Sequence, residues 1–454
     1  MFSQARRTAG RAQAGASRRI QQERPATAGD APLHHRRGMK ATRLRALKGL
    51  ALFPTRLTGV PARADDAPPP VLSLALRNTL DAWTVAVGAR REPVVLDRFQ
   101  ASGTFALDRL GVQGTSFHVQ VFRLAGSSLS ERIRDIQTAD AIDAVPLTRL
   151  MEAWAEKRFG GTDRSVALRV GFMDLNQDFD STSAASLFLN SSHAVGAELA
   201  RSGLSGPSIY PVSAFGARLN VAPSKRFAFR YALLDGVAGD PLRPRAFVVS
   251  RLSPRDGTLS VGEGDWRPDE GTRIAVGAWR YSRLAPRLDG KGRARSQGLY
   301  AEAERSFTKH VSAWARIGAA EGRVQPVSGY VGGGIVLKGL LAARPDDAFG
   351  VAVARSYNSE LARELKGVGR AETSVELTYQ FKLLPALSLQ PDLQYVIDPS
   401  LRGRAPDAVV LGLRITTTFG LPKPAPATDP GDPTVTPADP APPPAPGAAP
   451  DAKS

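Results

Sequence analysis

Between residues 71 and 420 the chain alternates apolar with polar or small positions, one residue at a time. Residues 165–172 show it best. Val166, Leu168, Val170 and Phe172 fall on one side of an extended chain, and Ala167, Arg169 and Gly171 on the other. A two-residue repeat puts successive side chains on opposite faces, so this is a strand with one wholly apolar face. It empties into an acidic loop holding Asp174, Asn176, Asp178 and Asp180. In 115–124, Phe117, Val119 and Val121 oppose His118, Gln120 and Phe122. The same period predicts strands over 99–107, 215–221, 227–233, 246–252, 259–266, 272–281, 298–307, 311–319, 330–338, 347–357, 371–381, 387–396 and 409–419. Residues 71–88 read as two short runs around Asn78 and Asp81. Residues 147–159 fit two readings. Leu147, Leu150, Met151 and Trp154 have helical spacing, whereas in a strand Leu150, Glu152, Trp154 and Glu156 would share a face.

Short turns at 223–225, 308–310 and 385–386 contrast with long polar insertions at 125–145, 174–211 and 358–370. About sixteen such strands in one run are unusual for a soluble sandwich; they suit one antiparallel sheet with short turns at one end and long loops at the other. The expected fold is therefore all-β: a transmembrane antiparallel β-barrel of 16 strands, apolar towards lipid and polar towards a water-filled lumen. No run of about 18 apolar residues is present, so no helical span is expected.

Charge changes the picture only once it is located. The formal net charge of the 454 residues is +17. Residues 1–64 carry 14 Lys/Arg against 2 Asp/Glu, and the remaining 390 carry 46 against 41, so the body gives no case for nucleic-acid binding. The absence of Cys removes thiolate metal sites, thiol nucleophiles and disulfides. Residues 1–38 are expected to be a disordered basic segment or a mis-assigned start. Residues 39–64 have the basic region, short apolar stretch and small-x-small end of a signal peptide. Residues 65–70 are expected to form a short spacer, 71–420 the barrel, and 421–454, with 12 prolines, a disordered tail.

Several segments together resemble the carbohydrate-selective porin family of OprB-type sugar porins. They are Leu107-Asp108-x-Leu110-Gly111, Gly114-Thr115-x-Phe117, Arg149-Leu150-x-Glu152-Ala153-Trp154, and Leu168-Arg169-Val170-Gly171-x-x-Asp174. Asn190-Ser191-Ser192-His193, Gly206-Pro207-Ser208-Ile209-Tyr210-Pro211-Val212 and Asp235-Gly236-Val237-x-Gly239-Asp240-Pro241 follow. Glu372-Thr373-x-x-Glu376-Leu377-Thr378-Tyr379, residues 388–398 and 408–413 complete the likeness, which spans roughly 71–420. The family's Gly-rich opening has 78–90 as its nearest counterpart. The resemblance implies a sixteen-stranded barrel of the bacterial outer membrane that lets glucose and other small sugars diffuse down a gradient. It favours the strand reading of 147–159, and a monomer over a trimer. Partners implied are sugars, outer-membrane lipid and lipopolysaccharide, and the barrel-assembly machinery, which reads a closing aromatic of which Phe419, with 35 residues after it, is an internal version. No cofactor is implied.

A neutral sugar needs hydroxyl donors and acceptors along its path, and aromatic faces for its C–H surfaces. Arg149, Glu152, Trp154, Glu156 and Arg169 carry that mixture, and Asn190 and His193 sit in a loop long enough to fold inward; these are the pore and sugar-contact candidates. Arg218, Arg230, Arg280 and Arg316, if inward-facing, would form an anion-tolerant ladder, so a general or anion-preferring porin stands beside the sugar porin, with an exopolysaccharide-secretion barrel behind both. Asp174, Asp178, Asp235 and Asp240 are expected at loops or the mouth as solvated turn residues, since their spacing is no calcium loop. No nucleophile–base constellation or Gly-x-Ser-x-Gly elbow is present, so an enzyme is not expected.

Overall fold

A strand in lipid must pair every backbone group with another strand, and only a closed sheet leaves no edge. The computed structural model describes residues 69–161, 163–240, 242–248 and 253–421. They build β1 (Leu72–Val87), β2 (Val94–Ala106), β3 (Thr115–Gly126), β4 (Leu147–Gly160), β5 (Ser165–Met173), β6 (Ala214–Ser224), β7 (Phe227–Asp235) and β8 (Thr258–Trp266). The second half is β9 (Thr272–Pro286), β10 (Arg293–Thr308), β11 (Val311–Ala320), β12 (Val327–Lys338), β13 (Ala348–Asn358), β14 (Ala371–Leu384), β15 (Leu387–Ile397) and β16 (Ala408–Leu421). Each strand pairs antiparallel with its neighbours in sequence, and β1 pairs with β16 from Leu74↔Leu421 to Val87↔Val409 to close the barrel. Residues 225–226, 309–310 and 385–386 are entire turns at one end. Residues 127–146, 174–213, 236–257 and 359–370 leave from the other.

The period-2 pattern sets which side meets what. On β5, Val166, Leu168 and Val170 are 41–46% exposed, whereas Ala167 and Arg169 are 1% and 8% exposed, so the apolar row faces outward and Arg169 inward. Phe105, Phe117, Phe159, Phe227, Trp266, Phe307 and Phe419 are exposed on the outer wall near the short-turn end, as an interfacial aromatic girdle requires. Trp279, Tyr281, Trp314 and Tyr330 are instead buried on the inward face.

Three expectations change. Residues 71–88 form one strand, not two runs. Asn78 looks like a break because it is a polar residue on the outward row, where it donates to Asp97 at 2.7 Å. Residues 246–248 of the expected strand 246–252 lie in the 236–257 loop, where the Ala246 carbonyl accepts from Arg149. Residues 147–159 are a strand, but a β-bulge sets Gln120↔Glu152 beside Val121↔Leu150, with Met151 as the extra residue. The bulge moves Leu150 off the face of Glu152, Trp154 and Glu156, and Arg149 takes the inward position. The readings of residues 1–64 and 422–454 fall outside the described residues.

The hydrophobic core lies inside the barrel, under the long loops. Trp83, Val94, Leu96 and Val410 of the wall pack on Leu129, Ile133 and Leu189 of the loops. Met173, Trp279, Tyr281 and Tyr300 pack with Phe179 and Leu199. Each such side chain contributes about 1.5–3 kcal/mol on burial, enough to hold loops against the wall that no strand hydrogen bonds retain.

Candidate functional site: the loop-filled lumen

Wall carboxylates grip the inserted loops by their backbone amides. Glu372 accepts from Ile136 N at 2.8 Å, Gln137 N at 3.0 Å and Ser400 N at 2.7 Å. Glu376 accepts from Leu189 N and Asn190 N at 2.5 and 3.0 Å, and Glu304 from Ser183 N and Ala184 N at 2.9 and 2.7 Å. Glu263 takes Asp180 N at 2.9 Å, and Glu152 takes Asp174 N at 3.2 Å. Unpaired buried amides are costly, so inward glutamates at these positions give an irregular loop partners that a strand ladder cannot. Small residues allow the close approach: a Cβ on Gly318 would collide with the Glu198 carboxylate, and one on Gly196 with the Arg316 guanidinium.

The same loops carry acids to the wall arginines. Asp178 pairs with Arg169 (3.3 Å) and Arg218, and both arginines also hold Glu156, at 2.9 and 2.5 Å. Arg230 and Arg273 share Glu263 and Asp265, with Glu302 also on Arg273. Arg316 holds Asp180 and Glu198, and Arg414 holds Asp81 and Asp140. Against the upward push of burial, Arg218, Arg169 and Arg230 hold the Asp178 carboxyl below the usual carboxylate range. Burial and the neighbouring Glu152 push the Asp174 carboxyl up to about 7.

The expected pore residues take up defined places. Trp154 lies between the ring of His118, stacked at 5.0 Å, and the guanidinium of Arg169, 3.9 Å from its centroid. Both faces are covered, which leaves neither for a sugar. Arg149 donates to the carbonyls of Pro244 (2.6 Å), Pro211 (3.2 Å) and Ala246 (3.3 Å), and so ties two loops to β4. Asn190 donates to Ser374 and Gln394, each at 3.2 Å, and accepts from Ser192 N at 3.0 Å. The His193 ring packs between Phe188 and Trp314, with Nε2 3.3 Å from Glu376.

The acidic residues depart from expectation. Asp174 and Asp178 are not solvated turn residues; they are buried within the lumen, because their loop folds back onto the wall. Asp174 caps a turn through Asn176 N at 3.0 Å. Asp235 and Asp240 fix the 236–257 loop, through Val237 N at 3.3 Å, and through Leu242 N and Arg243 Nε at 3.0 Å each. The arginine ladder is altered too: Arg218, Arg230 and Arg316 are inward but paired, and Arg280 is exposed on the outer wall.

What sequence reasoning missed lies on β1–β3. On these strands Ser73, Arg77, Arg98, Gln100, Ser102, Thr104, Ser116, His118 and Gln120 face inward and are only partly buried, most of them in the half near the short turns. This is a lumenal wall that the loops leave incompletely buried. Arg98 sits 5.3 Å from the ring of Tyr210, whose hydroxyl donates to Ile142 O at 2.9 Å, so it marks the underside of the loop layer. Reading 71–88 as one strand would have put Arg77 in phase with Asp81 on the inward face.

A family model described as carbohydrate-selective porin, OprB family, matches residues 90–419. Porin B of Pseudomonas aeruginosa is 26% identical over 156 residues, 29% of this chain and 34% of that protein. Porin AaxA of Chlamydia trachomatis is 24% identical over 209 residues, 45% of this chain and 43% of that protein. The chain thus spans well under two thirds of the length of the curated relatives it matches. The high-pH structure of Pseudomonas putida OprB superposes with a TM-score of 0.65 at 19% identity, covering 77% of this chain and 94% of that one. The outer-membrane channel DcaP of Acinetobacter baumannii superposes with a TM-score of 0.52 at 10% identity, covering 77% and 97%. Both share the fold.

Proposed function

The chain belongs to the OprB family of carbohydrate-selective porins of the bacterial outer membrane, and from that premise we propose that it lets small neutral sugars such as glucose diffuse passively through its lumen. The observation that carries this reading is the incompletely buried polar wall on β1–β3 beneath loops that fill the rest of the barrel. Gln100, Ser102, Thr104 and Gln120 offer uncharged donors and acceptors, which exchange water for sugar hydroxyls at little net cost. Binding of this kind is weak, as transit requires. The paired arginines and acids above the path act as the frame of the constriction. They hold it narrow without presenting a free charge, and this weakens the reading as a general anion porin built on Arg218, Arg230 and Arg316.

Residues 39–64 are read as a signal peptide, Phe419 as the aromatic presented to the barrel-assembly machinery, and the barrel as a monomer seated in lipid and lipopolysaccharide. Titrating glucose against the single-channel current of the full chain tests the sugar reading. A saturable fall in current supports sugar contact within the lumen; a current that follows only bulk viscosity removes it.

A further inference from the structure

Arg77 pairs in register with Gln100 and Arg98 with Thr79, so the two guanidinium side chains are diagonal neighbours on the inward face. The other inward-facing arginines hold carboxylates within 4.0 Å, or backbone carbonyls in the case of Arg149. Among the described residues, Arg77 and Arg98 hold neither, and the Nε atom of each is buried without a hydrogen-bond partner. The neighbouring acids are already engaged: Arg414 holds Asp81 in a fork at 2.9 and 2.6 Å and Asp140 at 3.0 Å, and Trp83 also donates to Asp140 at 2.7 Å. Arg414 and Asp81 act on Arg77, and Arg414, Asp81 and Asp140 on Arg98, so three guanidinium groups face two carboxylates and the patch keeps an excess of positive charge. A guanidinium is always charged and presents a planar fork that matches a carboxylate. The neutral amide and hydroxyl groups of Gln100 and Ser102 adjoin the pair towards the short-turn end, Gln100 opposite Arg77 and Ser102 opposite Ala75. One end of the patch thus suits an acid and the other a sugar's hydroxyls.

We propose that Arg77 and Arg98 bind the carboxylate of monosaccharide acids, so that the channel passes uronates and aldonates in preference to amino sugars of the same size. The proposal rests on the reading of the lumen as a sugar path and names a charged substrate class for it. Entry of an anion needs no chemistry: the carboxylate exchanges water for guanidinium hydrogen bonds and leaves unchanged.

The test is flux into proteoliposomes of the full chain with labelled glucuronate, glucose and glucosamine, with the reversal potential in a KCl gradient measured in parallel. The wild type is expected to favour glucuronate over glucosamine and chloride over potassium. Arg77→Gln with Arg98→Gln should lower the glucuronate-to-glucose ratio by about tenfold, the order expected for losing two charges near a carboxylate in a wet pore. Arg77→Lys with Arg98→Lys should retain most of it. A wild-type preference for glucosamine overturns the proposal, and so does an unchanged ratio in a glutamine variant that still migrates as a folded barrel. If glucose passes no faster than a size-matched polyol while the glucuronate ratio still falls in the variant, the neutral-sugar reading fails and the anion site stands.

Discussion

Among the described residues, Glu372 accepts from more loop groups than any other wall carboxylate, and replacing it with alanine should loosen the constriction without opening the barrel. Its side chain is fully buried on β14. It takes the amides of Ile136 and Gln137 from one loop, and the amide and hydroxyl of Ser400 from another, at 2.7–3.2 Å. A buried amide left without its acceptor costs about 1–3 kcal/mol, and among the described residues these three amides have no other partner. The cost of burying the carboxylate offsets part of that sum, so a net loss of about 3 kcal/mol is reasonable. At 1.4 kcal/mol per factor of ten, the detached state of the 127–146 loop becomes roughly a hundredfold more populated. Hydrogen exchange at Ile136 and Gln137 should quicken by that factor, and disaccharide entry should rise in swelling assays. The strand ladders on either side are untouched, so heat-modifiable migration should persist. Glu372→Gln, which keeps one carbonyl acceptor, should fall between. Unchanged protection of Ile136 and Gln137 in Glu372→Ala would falsify the claim that wall carboxylates hold the loops.

Four further outcomes follow from the same geometry. Asp178→Ala strips the shared acid from Arg169 and Arg218, and a broken buried pair costs about 3–5 kcal/mol, so it should raise channel noise and lower thermal stability measured by loss of heat-modifiable migration. Leu168→Arg puts a charge on the lipid face and should destabilise the barrel by about 2–4 kcal/mol if it lies near mid-membrane, readable as a shifted urea midpoint in detergent or lipid. Asp174 binds its proton more tightly in the folded loop than in the unfolded chain, so its contribution is complete below about pH 4 and disappears as the pH rises through about 7. Loop-opening noise should therefore grow across that window, and Asp174→Asn should flatten the dependence. Trp154→Ala should change the glucose-to-maltose swelling ratio little, because His118 and Arg169 cover both ring faces; a large loss of sugar preference would show that a face is available.

The fold was legible because lipid imposes it residue by residue. Val166, Leu168 and Val170 announce an outward row whatever lies inside, and the same pattern recurs to Phe419. Errors arose where a local rule met a tertiary one. The Met151 bulge is invisible to a strict period of two, which sets Leu150 on the face of Glu152. Asn78 interrupted an apolar row because its partner, Asp97, lies on the neighbouring strand. The lumen was less legible. Arg169 was correctly set inward by phase, but its company came from Asp178 on a returning loop, and no sequence period encodes how an irregular loop folds back. Asp174 and Asp178 looked like solvated turn residues for the same reason. The amide-gripping role of Glu304, Glu372 and Glu376 has no motif, because the groups they bind are backbone. Arg77 and Arg98 differ from the other inward arginines by holding no carboxylate or carbonyl, which three dimensions alone can show.

The central claim is passive, sugar-preferring diffusion through the lumen, and liposome swelling with the full chain tests it most directly. Initial rates would be compared for glucose, a polyol and a zwitterion of matched size, and maltose. Glucose entering faster than the matched solutes, with maltose slower than its size alone requires, is the predicted result. Equal rates for glucose and the matched solutes would contradict it and leave a general pore.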